Sequence, residues 1–553
     1  MQINADGLTF MSRTRIMGVV AAAVLVVLVV RAAQLQLLRH QELLTQAEGR
    51  HERFEPGRSH RTLILARDGE VLARSVPVVA VWADPQKVNT RELGRLAAAM
   101  GLATGMLERR LQQVEGRRFV YLARGLPLEA AQQIAALRLP GIHTMEEERR
   151  IYPLGPEVGH LLGFTDSFNV GLEGMERSFN EDLNQPSKHL TYLADGHGRP
   201  VGLATGIQAD QGLANNPQLV TTINWRLQHV AFEALAQAVA KAGAKGGSLV
   251  AVEPGTGEIW AMVNQPAFDP NQRDHLYPEA YRNRAVTDAY ELGSVLKPLT
   301  VAAALDAGVV TPNSMFDTGT GTMRVGNWWV RDIHPQGRIN LTRVLAISSN
   351  VGAAMVALRL DSRDFLRDLA GVGFGRRIGL GLPGEVSGGL PTRVPLSRIQ
   401  QAVMSFGYGL TVTPVQLAQA YAALANDGRF QGLTLLRDRH GTAQPVFQAS
   451  TAREVRLMLE QVITNGTGRK AAIPGYRVAG KTGTAIKANG GLYHRGSYLG
   501  SFVGMAPVER PALVVAVVID EPRNLYYGGD VAAPAFARVM TEGLAIMGVS
   551  PDG

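Results

Sequence analysis

Two side chains near the middle of this 553-residue chain have the types and spacing needed for acyl transfer. In ELGSVLKPLT, residues 291–300, Lys297 follows Ser294 by three positions. Residues three apart share a helix face, so a helix here brings the Lys297 amine close to the Ser294 hydroxyl. Pro298 is tolerated only near a helix start, which we therefore expect at about Gly293–Ser294. The pattern predicts a serine nucleophile at a helix N-terminus, with a lysine as its base.

The use of lysine at this position is informative because the chain contains 48 arginines and only 8 lysines. A guanidinium is effectively never deprotonated, whereas a lysine amine can be. A neutral base beside Ser294 would require lysine. A single Ser-x-x-Lys pattern is weak by itself, since an exposed serine and lysine on one helix face produce the same spacing.

A second motif is Ser348-Ser349-Asn350 in ISSNVG, at the head of an apolar helical pattern. Serine and asparagine are also favoured helix N-caps, so the motif alone fits a purely structural role. Beside Lys297, however, Ser348 offers a hydroxyl that relays a proton. Asn350 offers an amide that holds a substrate carbonyl.

A third motif, Lys481-Thr482-Gly483-Thr484, lies in the strand pattern YRVAGKTGTA. Glycines in a strand let another backbone approach closely. An edge strand of this kind docks a peptide by β-pairing, and Lys481 would attract its carboxylate.

The elements that position these motifs follow from hydrophobic periodicity. The sequence predicts a β-hairpin over 246–266 and three later strands at 475–486, 498–506 and 512–520. Between them lie helical patterns at 297–308, 341–359, 413–426 and 451–465, and a last helix covers 533–546. The predicted domain, 219–553, is therefore an antiparallel sheet with a helical subdomain. Residues 39–218 lack a set of nucleophile, base and acid, and they predict a non-catalytic mixed α/β platform, or pedestal.

The N-terminal region predicts a membrane anchor. Residues 16–30 carry no charge, and apolar character continues to residue 38, which is long enough for a transmembrane helix over 16–38. Arg13 and Arg15 favour a cytoplasmic tail over residues 1–15. A cleaved signal peptide is the alternative, because Val30-Arg31-Ala32 resembles a cleavage site.

Composition excludes several kinds of site. The chain has no cysteine, so thiol catalysis, disulfides and cysteine-ligated zinc are excluded. The 12 histidines form no HExxH pair, and we predict neither metal nor cofactor. The net charge of +8 allows an anionic partner, but no basic run is interleaved with aromatics, so we expect no nucleic acid.

The three motifs, in this order, resemble those of penicillin-binding proteins and class A β-lactamases. The stretches SFGYGLTVTPVQLAQAYAALANDG and VAGKTGTA are similar to the transpeptidase domain of class B penicillin-binding proteins. SFGYG at 405–409 and GFGRRIGLGLPGE at 373–385 are most similar to the division-specific, FtsI-type branch. The platform resembles that family through RIYPLGPEVGHLLGF and GLEGMERSFNEDL, between residues 150 and 183. The resemblance thus covers nearly the whole chain.

The resemblance implies a serine-type D-Ala-D-Ala transpeptidase that cross-links septal peptidoglycan. Ser294 would attack the carbonyl between the terminal D-alanines of a stem peptide, and Lys297 would take its proton. Ser348 would pass the proton to the leaving amine, and Asn350 would hold the stem peptide.

The third motif would bind the donor. The backbone N–H groups of Ser294 and Thr484 would form the oxyanion hole. Lys481, Thr482 and Thr484, with Gly483 between them, would bind the terminal carboxylate. β-Lactams would mimic this donor and remain attached.

The implied location is the inner membrane at the septum, single-pass, with the catalytic domain in the periplasm. The implied partners are stem peptides, an FtsW-type glycosyltransferase and other division proteins. Alternatives are an elongation-specific enzyme, a catalytically idle scaffold of the division machinery, and a β-lactamase or carboxypeptidase that uses water as acceptor.

Two stretches depart from the family pattern. In RTLILARDG, Thr62 and Ala66 replace a glycine and an acid, and NQPSK replaces a glycine-rich turn after Leu183. Both departures lie in the platform, away from the three motifs.

Overall fold

The computed structural model describes residues 5–34, 52–55, 61–113, 118–184, 190–194, 200–203, 218–273, 277–489 and 492–553. The chain forms two compact units. One comprises Met1–His60 with Gln185–Asn216, and the other comprises Arg61–Asn184 with Pro217–Gly553. This division does not follow the predicted boundary near residue 218, which stays a prediction.

The first unit contains helix α1 (Ala5–Ala33) and an antiparallel sheet ordered β1 (Glu52–Glu55), β6 (Leu190–Ala194) and β7 (Pro200–Leu203). No helix within the described ranges is long and apolar enough to cross a membrane. The predicted span over 16–38 is therefore not confirmed, and residues 35–38 lie outside the described residues.

The second unit begins with the mixed α/β platform that the sequence predicts. Its strands are β2 (Ile64–Leu65), β3 (Val71–Ala83), β4 (Val120–Leu126), β5 (Ile142–Ile151) and β8 (Leu219–Val220). Three helices pack on this sheet: α2 (Leu93–Met100), α3 (Thr104–Gln112) and α4 (Leu128–Ala136). Short helices follow at Gly159–Leu162 (α5), Gly174–Ser178 (α6) and Asn180–Leu183 (α7).

A five-stranded antiparallel sheet forms the centre of the remaining chain. Its order is β10–β9–β19–β18–β17. The bounds are β9 Gly246–Val252, β10 Ile259–Gln265, β17 Ala479–Asn489, β18 Leu492–Ala506 and β19 Leu513–Asp520. The first hairpin thus joins the last three strands in one sheet, which confirms the predicted topology. Strand β17, which carries the third motif, lies at the edge.

Helices cover both faces of this sheet, because its strands are apolar on both sides. Helices α8 (Trp225–Ala242) and α19 (Ala533–Ile546) pack on one face. Helices α11 (Lys297–Asp306), α16 (Pro414–Ala425) and α17 (Ala449–Asn465) belong to the core on the other. Helix α16 is buried on all sides, and its sequence carries no charge.

The other elements connect these layers. The helices are α9 (Pro278–Tyr281), α10 (Arg284–Thr287), α12 (Leu341–Ala346), α13 (Asn350–Ala357), α14 (Ser362–Gly371), α15 (Arg398–Met404) and α18 (Gly528–Val531). The strands are β11 (Met315–Asp317), β12 (Thr322–Val325), β13 (Trp328–Arg331), β14 (Arg338–Asn340), β15 (Arg429–Phe430) and β16 (Gln444–Pro445).

Candidate active site

Ser294 lies at the start of a helix, as the sequence predicts. A 3₁₀ turn over Gly293–Leu296 leads into α11, whose first turn contains Pro298. Gly293 has φ +62°, and a Cβ there would come within 3.1 Å of the Thr484 carbonyl oxygen. Glycine therefore lets the serine turn pack directly against β17.

The second motif lies at a break between two helices, not within one. Periodicity predicts one helical pattern over 341–359, but the structure contains α12 and α13, with Ser348 between them at φ +65°. The apolar pattern continues across the break, so periodicity does not reveal it. Ser349 caps α13 by accepting a hydrogen bond from the Gly352 N–H at 2.9 Å. The N-cap interpretation is thus correct for Ser349, and Ser348 is left to face the lysines.

Two buried lysines meet at the Ser348 hydroxyl. The Lys297 Nζ lies 3.1 Å from Ser348 Oγ, 2.5 Å from the Ser348 carbonyl oxygen and 2.7 Å from Asn350 Oδ1. The Lys481 Nζ lies 3.0 Å from the same Ser348 Oγ and 3.1 Å from the Thr482 carbonyl oxygen. Both lysines are fully buried. Within the described part of the chain, no carboxylate forms an ion pair with either amine.

Burial without an ion-paired carboxylate favours the neutral amine. Burial lowers the pKa of Lys297 well below its usual value, the charge of Lys481 lowers it further, and Asp332 acts in the opposite direction. Burial also lowers the pKa of Lys481 to about 7. The lowered pKa of each lysine makes its neutral form more accessible than that of an exposed lysine.

Strand β17 presents the third motif at the open edge of the sheet. The Thr482 hydroxyl is 2.7 Å from the Thr467 hydroxyl, and Thr484 Oγ1 accepts a hydrogen bond from the Gly528 N–H at 3.1 Å. Gly483 pairs with Ser501, and a Cβ on Gly483 would come within 2.3 Å of Ser501 Oγ. Glycine at 483 is therefore required by close packing beneath the strand.

Asp332 is a site residue that the sequence analysis missed. Its carboxylate accepts hydrogen bonds from Ser349 Oγ at 2.6 Å, the Asn350 N–H at 2.5 Å and the Val351 N–H at 2.9 Å. It therefore holds the start of α13, which carries Asn350. Asp332 lies 18 residues before Asn350, and no local pattern links the two.

Gly528 was missed as well. A Cβ there would come within 2.1 Å of the Ser501 carbonyl oxygen and 2.3 Å of the Gly483 carbonyl oxygen. Only glycine lets α18 approach β17 closely enough to bind the Thr484 hydroxyl. The Tyr526-Tyr527-Gly528 stretch contains no signal that would predict this contact.

The arrangement suits acyl transfer by a serine. The structure brings together the start of α11, the α12–α13 break and edge strand β17, which carry Ser294, Ser348 and Lys481. Among the described residues, no group of three or more His, Asp or Glu side chains could hold a metal ion.

Comparison with known protein families finds a match for each of two parts of the chain. Residues 247–541 match the penicillin-binding protein transpeptidase domain, and residues 56–213 match the penicillin-binding protein dimerisation domain. The chain belongs to the penicillin-binding proteins. The predicted family resemblance is therefore confirmed.

Two relatives of this penicillin-binding protein, each 38% identical to it, are named as transpeptidases. One is the probable peptidoglycan D,D-transpeptidase PbpC of Pseudomonas aeruginosa, aligned over 94% of this chain and 93% of the relative. The other is the peptidoglycan D,D-transpeptidase FtsI of Escherichia coli, aligned over 94% and 90%.

Solved structures of penicillin-binding proteins are also similar to this chain. Penicillin-binding protein 3 of Mycobacterium tuberculosis, solved with aztreonam, has a TM-score of 0.69 at 25% identity, over 90% of this chain and 98% of that one. The transpeptidase domain of Burkholderia pseudomallei penicillin-binding protein 3 has a TM-score of 0.56 at 38% identity, over 60% and 98%.

Proposed function

We propose that this penicillin-binding protein is a peptidoglycan D,D-transpeptidase that cross-links stem peptides of the septal cell wall through a serine acyl-enzyme. The observation that carries the proposal is the Ser348 hydroxyl, held between the Lys297 and Lys481 amines at 3.1 and 3.0 Å. A hydroxyl between two amines of lowered pKa is a proton relay, and the Ser294 turn packs against the strand that carries Lys481.

In the acylation half-reaction, Ser294 Oγ attacks the carbonyl between the two terminal D-alanines, and neutral Lys297 takes its proton. The backbone N–H groups of Ser294 and Thr484 stabilise the oxyanion, where one donor is typically worth about 10²–10³ in rate. The C–N bond then breaks, and Ser348 passes a proton to the departing D-alanine amine. An acceptor amine next attacks the ester, which forms the cross-link and restores the Ser294 hydroxyl.

The donor lies along β17 in this mechanism. Lys481, with the Thr482 and Thr484 hydroxyls, binds its terminal carboxylate, and Asn350 holds its backbone. A β-lactam occupies the same place and leaves a stable acyl-enzyme on Ser294.

The mechanism is tested by covalent labelling. A fluorescent penicillin should modify the protein at Ser294 alone, and tryptic mapping should find the adduct there. Labelling that persists in Ser294→Ala, or an adduct on another residue, would refute the assignment. Release of D-alanine without formation of cross-linked dimers would instead identify a carboxypeptidase.

We also propose that α1 anchors the enzyme in the inner membrane at the septum, beside an FtsW-type glycosyltransferase. The large apolar side chains of α1 between Met17 and Val30 are each at least 54% exposed. A continuous exposed apolar surface of this kind is typical of a site that contacts a membrane or another protein. Deleting residues 1–40 should leave penicillin labelling intact but abolish complementation in cells that depend on this protein for division. Full complementation by the shortened protein would contradict the anchor. A fluorescent fusion that spreads along the side wall would favour the elongation role.

A further inference from the structure

The hairpin β12–β13 has one buried face and one open face. Arg324 pairs with Trp329 across the hairpin. Val325 and Val330 are buried against residues of α13 and α15. Because strand side chains alternate, Arg324, Trp329 and Arg331 lie together on the opposite face. We call these three residues the Trp329 face.

The Trp329 face has no partner within the described residues. The Trp329 side chain is 51% exposed, and both arginines are exposed. Neither guanidinium forms an ion pair with a described carboxylate, and Arg324 Nε donates only to the nearby Gly326 carbonyl oxygen at 2.9 Å. An exposed tryptophan between two unpaired arginines is typical of a binding surface. Tryptophan and arginine are among the side chains that contribute most to the free energy of binding at interfaces.

The hairpin that carries this face is hydrogen-bonded to the candidate active site. The carbonyl oxygen of Arg331 accepts a hydrogen bond from Asn350 Nδ2 at 3.0 Å. The other end of the same amide, Asn350 Oδ1, lies 2.7 Å from the Lys297 Nζ. One side chain, Asn350, therefore links the hairpin to Lys297.

We propose that the Trp329 face docks the acceptor, a glycan strand that carries anionic peptides. The assignment rests on the proposed function, since a transpeptidase, unlike a carboxypeptidase or a β-lactamase, has a second, polymeric substrate. In the proposed mechanism the donor occupies the β17 edge, so the acceptor approaches along other elements near Lys297, and the hairpin is one of these. An indole ring stacks on the apolar face of a sugar, and guanidinium groups pair with peptide carboxylates. The charge of the face thus complements an acidic glycopeptide.

Direct binding tests the face independently of catalysis. The probe is a preparation of soluble, uncross-linked glycan strands with stem peptides, titrated against the full-length protein. Trp329→Ala and Arg324→Glu should each weaken binding by about tenfold, as expected for a side chain at the centre of an interface. Trp328→Ala is the matched control, because this neighbouring tryptophan is similarly exposed at 54% but projects from the other side of the strand. Its affinity should stay within about twofold of the parent.

A second readout separates this inference from the proposed function. Acylation by penicillin requires no acceptor, so Trp329→Ala should acylate at the parent rate while cross-linking of glycan strands falls about tenfold. Transfer to a free D-amino acid, which is too small to reach the hairpin, should not change. Absence of acylation in the parent protein would overturn the proposed function alone, and the titration would still decide the docking surface.

Three outcomes would overturn the docking surface. The first is equal affinity of the Trp329→Ala variant and the parent for the strands. The second is an equal loss in Trp328→Ala, which would show a general effect on the hairpin. The third is binding of anionic phospholipid vesicles, but not of strands, through Trp329.

Discussion

Two regions of this molecule bury a pair of cations, and they do so in opposite ways. In the platform, Arg61 Nε and Arg150 Nε contact the two oxygens of one carboxylate, Glu176, at 2.5 and 2.7 Å. In the candidate active site, Lys297 and Lys481 meet at a hydroxyl, and neither forms an ion pair with a described carboxylate.

The two pairs differ in whether a carboxylate compensates the buried cations, and this difference follows from the chemistry of arginine and lysine. A guanidinium cannot give up its proton, so a buried arginine must be compensated by an acid and by hydrogen bonds. Arg61 meets this need through Glu176 and the side-chain oxygens of Asn180 and Asn184, both at 2.9 Å. An uncompensated lysine responds to burial by losing its charge. The platform pair therefore holds structure, whereas the lysine pair fits the proposed proton transfer.

Exchanging the cation type at the active site should produce the largest effect. Lys297→Arg replaces an amine that can be neutral with a guanidinium that cannot, so we expect penicillin acylation to fall by about 10²–10⁴-fold, the usual contribution of a general base. Stopped-flow acylation measures this rate. Lys241→Arg, at an exposed position of α8, is the control and should acylate normally. An arginine variant that acylates within a few-fold of the parent would show that Lys297 is not the base.

Removing the carboxylate that Arg61 and Arg150 share should have the opposite effect: a loss of stability without a loss of acylation. Glu176→Gln leaves two buried guanidinium groups uncompensated, so we expect a loss of about 3–5 kcal/mol in the free energy of unfolding. Urea denaturation measures it, while the folded protein should still acylate within a few-fold of the parent rate.

The control for Glu176 is an exposed ion pair. Asp364→Asn removes one of the two carboxylates that contact Arg367, and it should cost about 0.5 kcal/mol or less. The Asp364 side chain is 49% exposed and the Arg367 side chain is 69% exposed. Equal losses from the two substitutions would contradict a structural role for the buried cluster.

The parts of both regions that sequence predicts are those with a local pattern. Ser294 and Lys297 share a helix turn, and the stretch around Lys481 has a strand pattern, so their elements are correctly predicted. The left-handed Ser348 is not predicted, because the helical periodicity of 341–359 continues across the break. Asp332 and Gly528 act through contacts with distant segments, which no local pattern encodes. Glu176 likewise receives its partners from residues 115 and 26 positions away.

The smallest expected effect concerns Asp332, an acid that influences Lys297. Asp332 accepts hydrogen bonds from the Asn350 and Val351 N–H groups, and its charge raises the pKa of Lys297. Asp332→Asn weakens this helix cap, so we expect maximal acylation to fall about tenfold, the upper range for a lost cap.

The same substitution should also shift the pH dependence, and the sign of that shift tests the comparison. Acylation needs neutral Lys297, so the rate falls as pH drops through the pKa of this lysine. Without the Asp332 charge the pKa of Lys297 is lower, so the amine stays neutral down to a lower pH. The acid limb, the part of the pH–rate profile where acylation falls with decreasing pH, should therefore move to lower pH. Asp361→Asn is the matched control, because Asp361 caps α14 through the Arg363 and Asp364 N–H groups, outside the three motifs. It should change neither the rate nor the limb. A uniform loss of rate in Asp332→Asn with an unmoved limb would show that Asp332 only holds the helix. A shift of the acid side of the profile to higher pH would contradict the view that the Asp332 charge raises the pKa of Lys297.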